Sequence, residues 1–320
     1  MMKSIETKIA ETEAQWRRYR QENAGIRESA KLLSGAVKRG AAKRIRVAER
    51  CLHFSCKNET FAPAYDRDRQ NIVVSLTSTR ARLQTIFPTL QSLIAQSRKP
   101  DLIILWLGES DKYPKAVTDQ IKQMGISVKY REDLGPNTKY YYAFREYRGD
   151  LVITVDDDIL YHKNMIQELY DAHQKHPDLV IARRINRMRF GRNRRPVRYR
   201  SWIWEYKDAR RPAHDLLATG VGGVLYPPNV CGLPCFESRD FRRVAPGCDD
   251  IWLKFCELSQ DVKVCAVAHS GFYLDVINPR SQKTNLAKEN VDRGKNDRSI
   301  KACAEYFGMK EDLCERVLGN

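Results

Sequence analysis

Short unbroken apolar runs, each followed by a stretch with helical spacing, organise the middle of this chain. Ile72-Val73-Val74-Ser75-Leu76, Leu102-Ile103-Ile104-Leu105-Trp106-Leu107 and Leu151-Val152-Ile153-Thr154-Val155 lack polar alternation, the pattern of strands buried on both faces. Helices are predicted between them over 83–95, 115–124 and 138–147. Such alternation predicts right-handed βαβ units and an α/β domain with a doubly wound, mainly parallel sheet flanked by helices. Ligands of these sheets gather beyond the carboxyl ends of the strands, so the loops after Leu76, Leu107, Val128 and Val155 are the candidate site loops. Further along, 179–182, 221–226 and 263–267 read as strands, and 249–258 reads as a helix with Asp249 or Asp250 in its first turn.

The pattern before residue 70 is different. Ile26, Ala30, Leu33, Val37, Ala41, Ile45, Ala48 and Leu52 recur at steps of three and four, so they share one stripe of a helix, and Lys31, Lys38, Arg39, Lys43, Arg46 and Arg50 fill its other faces. A helix over residues 26–52 either packs on the main domain or lies on an anionic membrane surface. Residues 58–69, with Pro63 and several charges, read as a linker. The expected division is a basic helical extension over 1–65 and an α/β domain over 66–320.

Composition narrows the class. A chain of 320 residues with 42% hydrophobic content buries an enzyme-sized core and excludes disorder as its general state. The net charge of +16 is concentrated. Residues 1–70 carry 16 Lys and Arg against 9 Asp and Glu, and residues 183–214 carry 12 against 2, which leaves the remainder near neutral. Two segments can therefore meet anionic partners. The nine cysteines are odd in number, without a CxxC pair or a His at ligand spacing, which argues against a disulfide framework or structural zinc and for a reducing compartment. No apolar run is long enough to span a bilayer, and residues 1–8 lack the apolar centre of a secretion signal. The expected location is cytoplasmic, with peripheral attachment to the inner face of a membrane as the alternative for the 26–52 helix.

Asp156-Asp157-Asp158 follows a buried strand directly. Three adjacent carboxylates repel one another at such a place unless a cation compensates. Alternate residues of an extended segment face the same way, so Asp156 and Asp158 can share one Mg²⁺ or Mn²⁺ while Asp157 points elsewhere. The competing interpretation is an acidic turn before a helix.

The order of these and other short motifs resembles GT-A glycosyltransferases, particularly bacterial relatives of glycosyltransferase family two. The resemblance runs over about residues 70–275, through Ser75-Leu76-Thr77-Ser78 with Arg82, Asp133-Leu134-Gly135-Pro136 with Lys139, Thr154 to Tyr161, Gly220 to Pro227, and Asp249-Asp250-Ile251-Trp252-Leu253. Position 80, where relatives often carry Pro, is Arg. The resemblance implies a nucleotide-sugar donor, UDP- or GDP-linked, held by Thr77, Arg82, Asp133, Lys139, Asp156 and Asp157. It implies a divalent metal on Asp156 and Asp158, with His269 as a candidate third ligand. Asp249-Asp250 stands where the family carries its acidic pair, and Asp250 is the expected general base of an inverting transfer, because an acceptor hydroxyl needs a group to take its proton. The acceptor, a glycan or a lipid-linked sugar, is expected near Gly222, Gly223, Trp202, Trp204 and Trp252.

Each residue also has a plainer reading. Arg82 can be a solvated helix residue, Asp133 and Lys139 parts of a turn and a surface helix, Asp249 a helix cap, His269 a structural histidine, and the glycines a strand bulge. The basic segment 183–211, interleaved with Tyr199, Trp202, Trp204 and Tyr206, can form the acceptor side, since aromatic faces suit sugar rings and arginines suit phosphate or acidic sugars. It also carries the electrostatic footprint of nucleic-acid binding, whose strongest form is a metal-dependent nuclease or nucleotidyltransferase. Acidic groups at two ligand-facing positions argue against nucleic acid. A third possibility is a membrane-associated assembly protein that keeps the transferase fold without catalysis.

Overall fold

The computed structural model describes residues 45–54, 59–208, 211–267, 275–277, 290–291 and 293–319. The chain divides by contacts into units 1–53 and 54–320. In the first unit the described residues are helical from 45 onward. Val47 is buried there, while Ile45 and Leu52 of the apolar stripe stand 46% and 67% exposed. The rest of the 26–52 helix lies outside the described residues.

In the second unit, strands β1 (Ile72–Thr77), β2 (Leu102–Gly108), β3 (Ser127–Arg131), β4 (Leu151–Thr154), β5 (Val180–Ala182), β8 (Val224–Tyr226) and β9 (Val264–Ala266) form one sheet. Its order is β3-β2-β1-β4-β8-β5-β9. The pairs β1–β2, β2–β3, β1–β4 and β5–β9 are parallel, and β8 runs antiparallel to both β4 and β5. The mainly parallel sheet agrees with the unbroken apolar runs. β8 reverses direction, which an apolar tripeptide cannot announce because it carries no directional signal. β6 (Ile185–Arg187) and β7 (Leu216–Ala218) form a separate antiparallel pair.

Alternating residues of the strands feed two cores. Val73, Ile104, Trp106 and Val152 pack on one face with the helices Thr138–Glu146 and Asp249–Ser259. Ile72, Val74, Leu76, Ile103, Leu105 and Ile153 pack on the other with Phe87–Ile94, Lys115–Gln123 and Met165–Lys175. Both faces are covered, which is the reason these strands are apolar throughout.

The stretch read as a linker lies on this domain. Phe61 is 7% exposed within the second core, and its amide donates to the Met124 carbonyl at 2.8 Å. Gly125, at φ +87°, passes so close that a Cβ there would stand 1.8 Å from the Phe61 carbonyl oxygen. Proline and charges mark extended backbone, and here a single aromatic side chain was enough to dock it.

The chain runs outward from β1 through β2 to β3 and then returns to place β4 on the other side of β1. The carboxyl ends of β1 and β4 therefore flank the crevice where strand order reverses. Among the described residues, no helix is long and apolar enough to cross a membrane.

Candidate active site

The loops leaving β1 and β4 are tied together at that crevice. Asp157 is buried and accepts hydrogen bonds from Ser78 Oγ at 2.6 Å and from the Arg82 guanidinium at 2.7 Å. Thr89 Oγ1 donates to its carbonyl at 3.0 Å. With these partners, Asp157 turns inward and fastens the first loop to the end of β4. Arg82 also lies 3.6 Å from Asp158. Burial alone would lower the Arg82 guanidinium, but the charges of Asp157 and Asp158 hold it above its ordinary value.

The flanking aspartates have different surroundings. The Asp156 amide donates to the Tyr161 hydroxyl at 2.8 Å, and its carboxylate pairs with Lys139 Nζ at 2.6 Å. Asp158 is pushed up to about 6, first by burial and then by the neighbouring charges of Asp156 and Asp157, with Arg82 opposing. An elevated carboxyl of this kind marks a place short of positive charge.

The second acidic pair arrives from the far end of the domain. Asp249 and Asp250 occupy the first turn of the Asp249–Ser259 helix, where the macrodipole favours negative charge. No side-chain capping bond is made at this terminus, whose cap residue is Cys248, so Asp249 is not a cap. Asp249 instead lies 3.2 Å from Lys139 Nζ. Asp250 accepts the Gly220 amide at 3.0 Å. Burial pushes the Asp250 carboxyl up to about 7, with the Asp249 charge adding and Lys139 and the Gly220 amide opposing.

Lys139 thus joins two acidic clusters more than ninety residues apart in sequence. It sits in the first turn of the Thr138–Glu146 helix, with its side chain only 6% exposed. Burial would pull the ammonium down, yet Asp156, Asp249 and Asp250 hold it well above its ordinary value. The helix bearing it is pinned to β1 by Ser75 Oγ, which donates to the Lys139 carbonyl at 2.5 Å and accepts Trp106 Nε1 at 2.8 Å. A Cβ at Gly220 would stand 2.9 Å from Lys139 Nζ and 3.4 Å from Asp250 Oδ1, so a larger residue there would displace the ammonium from its place between the acidic clusters.

Other candidates are placed less centrally. Thr77 ends β1 and donates to the Trp106 carbonyl at 3.1 Å. Asp133 is exposed and accepts the Gly135 amide at 2.7 Å in a tight turn. Gly222 backs onto Arg184, whose Cβ would be 2.7 Å from an added methyl, and Gly223 combines φ +89° with a close approach to Met165. Both glycines thus have backbone reasons for being there. Trp252 is fully buried among Phe241, Tyr306 and Phe307, with ring centroids 5.3 to 6.1 Å away. Trp202 is 4% exposed, and its indole donates to the Val197 carbonyl at 3.0 Å. Neither ring has a free face for a sugar, so both are corrected from acceptor groups to core residues. Trp204 is 38% exposed. His269 lies outside the described residues.

The structure also gives specific contacts to residues that the sequence named only within longer motifs. Ser78 and Tyr161 hold Asp157 and Asp156, and Gly220 holds Asp250. The Asp250 charge, after burial, helps raise the Tyr199 phenol, which the Arg184 charge opposes. Their sequence neighbours give no sign of this, because the contacts span tens of residues.

The donor chemistry suits a hard divalent cation. Asp156 and Asp158 supply carboxylate oxygens beside a surplus of negative charge, as the elevated Asp158 records. Among the described residues no group of three or more His, Cys, Asp or Glu side chains could hold a metal. Two protein ligands are enough for Mg²⁺ or a similar ion that takes further oxygens from water and substrate phosphates.

No curated protein matches the chain. Among solved structures, it is similar to a mannosyltransferase from Pyrobaculum calidifontis in complex with GDP-Man and Mn²⁺, at 12% identity and TM-score 0.42, covering 86% of this chain and 77% of that one. It is similar to glucosyl-3-phosphoglycerate synthase from Mycobacterium tuberculosis in complex with Mn²⁺, UDP and phosphoglyceric acid, at 12% identity and TM-score 0.46, covering 79% and 87%. It is also similar to residues 1–349 of TarS from S. aureus in complex with UDP, at 12% identity and TM-score 0.44, covering 74% and 70%. These likenesses are too loose to carry an assignment of substrate. The sequence match is more specific: residues 76–225 fit the family described as Glycosyl transferase family 2, the stretch from β1 to β8 that carries Arg82, Lys139, Asp156, Asp158 and Gly220. Over residues 76–225, on a mainly parallel sheet flanked by helices, the chain is similar to glycosyl transferase family 2.

Proposed function

We propose that the chain moves a sugar from a nucleotide diphosphate donor, UDP- or GDP-linked, to a hydroxyl of a glycan or lipid-linked acceptor, with inversion at the anomeric carbon. The observation that carries this reading is the Lys139-bridged meeting of Asp156 with Asp249 and Asp250 at the crevice between β1 and β4.

The roles divide by position. Thr77, Asp133 and the loop held by Asp157 and Arg82 border the nucleotide. Asp156 and Asp158 are the residues that would hold Mn²⁺ or Mg²⁺, which when bound offsets the charge of the departing diphosphate. Asp250 takes the acceptor proton. An ordinary aspartate is a weak base near neutrality, and a carboxyl raised to about 7 is better matched to that task. Its hydrogen bond to the Gly220 amide keeps one oxygen fixed and leaves the other for the acceptor. Trp204, with an exposed ring beside Tyr199, is a platform for the acceptor sugar. His269 stays a candidate further ligand, and the basic 26–52 helix a candidate contact with an anionic membrane surface.

The test is thermal stabilisation and turnover across a panel of UDP- and GDP-sugars with and without Mn²⁺, since a bound donor raises apparent stability by linkage. The expected result is a metal-dependent shift with one donor and slow release of free sugar from it. Stabilisation by nucleoside triphosphates with release of pyrophosphate, and none by any nucleotide sugar, would replace this reading with nucleotidyl transfer.

A further inference from the structure

The basic segment 183–211 separates, once folded, into charges already matched and charges that are not. Arg183 pairs with Glu168 at 2.8 Å, Arg187 with Asp215 at 2.5 Å, and Arg184 approaches Glu205 at 3.4 Å. Beyond Arg187 the chain leaves β6 as a hairpin, closed by the antiparallel contacts Arg187–Ile203 and Phe190–Pro196 and a turn from Gly191 to Arg195. This hairpin exposes Arg189, Arg192, Arg194, Arg195, Arg198 and Arg200, and contains no acidic residue from 188 to 204. Arg194 reaches Glu315 at 2.9 Å, whereas Arg192, Arg195, Arg198 and Arg200 have no acidic partner among the described residues.

The hairpin is held in place beside the catalytic carboxylate. The Tyr199 amide donates to Asp297 Oδ1 at 2.7 Å, the Tyr199 hydroxyl accepts Asn186 Nδ2 at 3.1 Å, and Trp202 is buried beneath it. From the exposed Trp204 a short path leads inward. The Arg184 guanidinium lies 5.9 Å from the Trp204 ring centre and donates to Thr219 Oγ1 at 3.1 Å, and Gly220, the next residue, donates to Asp250. An aromatic platform, a partly buried arginine and a row of uncompensated guanidinium groups are therefore continuous with the proposed base.

Guanidinium groups recognise carboxylates and phosphates through paired donors, and uncompensated ones concentrate anions from solution. We propose that the hairpin and the Trp204–Arg184 face are the docking surface for an acidic glycan acceptor, whose charged residues lie along the arginines while its terminal hydroxyl reaches Asp250. This rests on the glycosyltransferase reading and names the acceptor class within it. Contact with a bilayer alone would leave the path from Trp204 to Asp250 without a role, and a nucleic acid would bring its phosphates against the aspartates at that path's inner end.

The test uses the full chain and an oligogalacturonate hexamer as probe, with maltohexaose as the neutral control, a single-stranded oligonucleotide, and vesicles containing anionic lipid. Binding is measured by calorimetry and co-sedimentation at two salt concentrations. The expected result is salt-sensitive binding of the hexuronate, at least about tenfold tighter than that of the neutral oligosaccharide or the oligonucleotide, as complementary charge requires. It should weaken at least about tenfold in Arg195→Glu/Arg198→Glu/Arg200→Glu and in Trp204→Ala, while thermal stabilisation by Mn²⁺ with the nucleotide sugar persists in both variants. Equal binding of neutral and acidic hexamers, or tighter binding of the oligonucleotide or vesicles that the triple variant abolishes, overturns the proposal. If hexuronate binds but no nucleotide sugar does, the transferase reading fails and the docking surface stands; the reverse outcome removes the docking surface alone.

Discussion

Lys139 Nζ lies 3.2 Å from an Asp249 carboxylate oxygen while its other contact, at 2.6 Å, is Asp156 at the end of β4. The ammonium thereby holds the start of one helix against the end of a strand across the mouth of the crevice. Replacing Lys139 with Met leaves Asp156, Asp249 and Asp250 without their shared cation in a buried setting. Loss of one partner of a buried pair costs about 3 kcal/mol or more. The expected outcomes are a clear drop in melting temperature and a turnover midpoint moved to higher pH, because Lys139 lowers Asp250 in the intact protein. Lys139→Arg should recover stability more than activity, since it keeps the charge but its planar fork cannot reproduce the ammonium's point contacts with Asp156 and Asp249. A Met variant with unchanged melting temperature and pH profile would remove Lys139 from this role.

Asp250 is expected to set the pH dependence of transfer. With its carboxyl raised to about 7, kcat/KM should rise with pH to a plateau above that value, because only the unprotonated form accepts a proton. Asp250→Asn should lower turnover by roughly a hundredfold or more, with little change in donor affinity. The product should carry the opposite anomeric configuration from the donor, which NMR of the product checks directly.

The same group has an opposite consequence for stability. A carboxyl whose folded value lies above its unfolded value gives stability that is present at low pH and lost as pH rises from about 4 through about 7. Asp250→Asn keeps the acceptor for the Gly220 amide and carries no charge, so it should be more stable than the parent at pH 8, by on the order of 1–3 kcal/mol. The difference should vanish near pH 4. Melting temperatures of the two proteins across pH 4–8, in chelator, read this out.

Asp158 is proposed to hold the metal with Asp156. Asp158→Ala should abolish the Mn²⁺-dependent part of donor stabilisation and leave the metal-free melting temperature at neutral pH unchanged or higher, because an uncompensated charge is removed from a buried site. Isothermal titration with Mn²⁺ in the presence of UDP or GDP is the measurement. Unaltered Mn²⁺ affinity would move the metal away from β4.

The amino-terminal segment can be separated by where it is cut. A chain beginning at residue 59 should fold and bind donor like the full chain, whereas one beginning at residue 71 lacks Phe61 and should be less stable by about 3–5 kcal/mol, the usual loss for a buried phenylalanine. If the 26–52 helix attaches the protein to anionic lipid, salt-sensitive vesicle binding is lost on cutting at residue 59. Undiminished vesicle binding by that truncated chain would exclude the helix as the anchor.

The sequence by itself determined the long buried strands, their alternation with helices and the places where acidic groups follow them, but not the short antiparallel pair β6 and β7. Ile72 to Leu76, Leu102 to Leu107 and Leu151 to Val155 had to be buried on both faces, so helices had to cover both sides and β1 to β4 had to run parallel. That much follows from local composition and the length of the connections. The direction of β8 was not legible, nor was the docking of Phe61, because neither depends on local pattern. Only the tertiary structure decided which charges meet. Asp156, Asp157 and Asp158 look alike in sequence, yet Asp157 is consumed by Ser78 and Arg82, one oxygen of Asp156 pairs with Lys139, and Asp158 keeps an elevated carboxyl. Trp202, Trp204 and Trp252 are likewise indistinguishable by type, and only burial separates two core rings from one exposed ring. Lys139 reads locally as a surface lysine on a helix and becomes the central cation of the site. Its partners lie 17 and about 110 residues away, and only the return of the chain to β4 and the arrival of the Asp249–Ser259 helix bring them within reach.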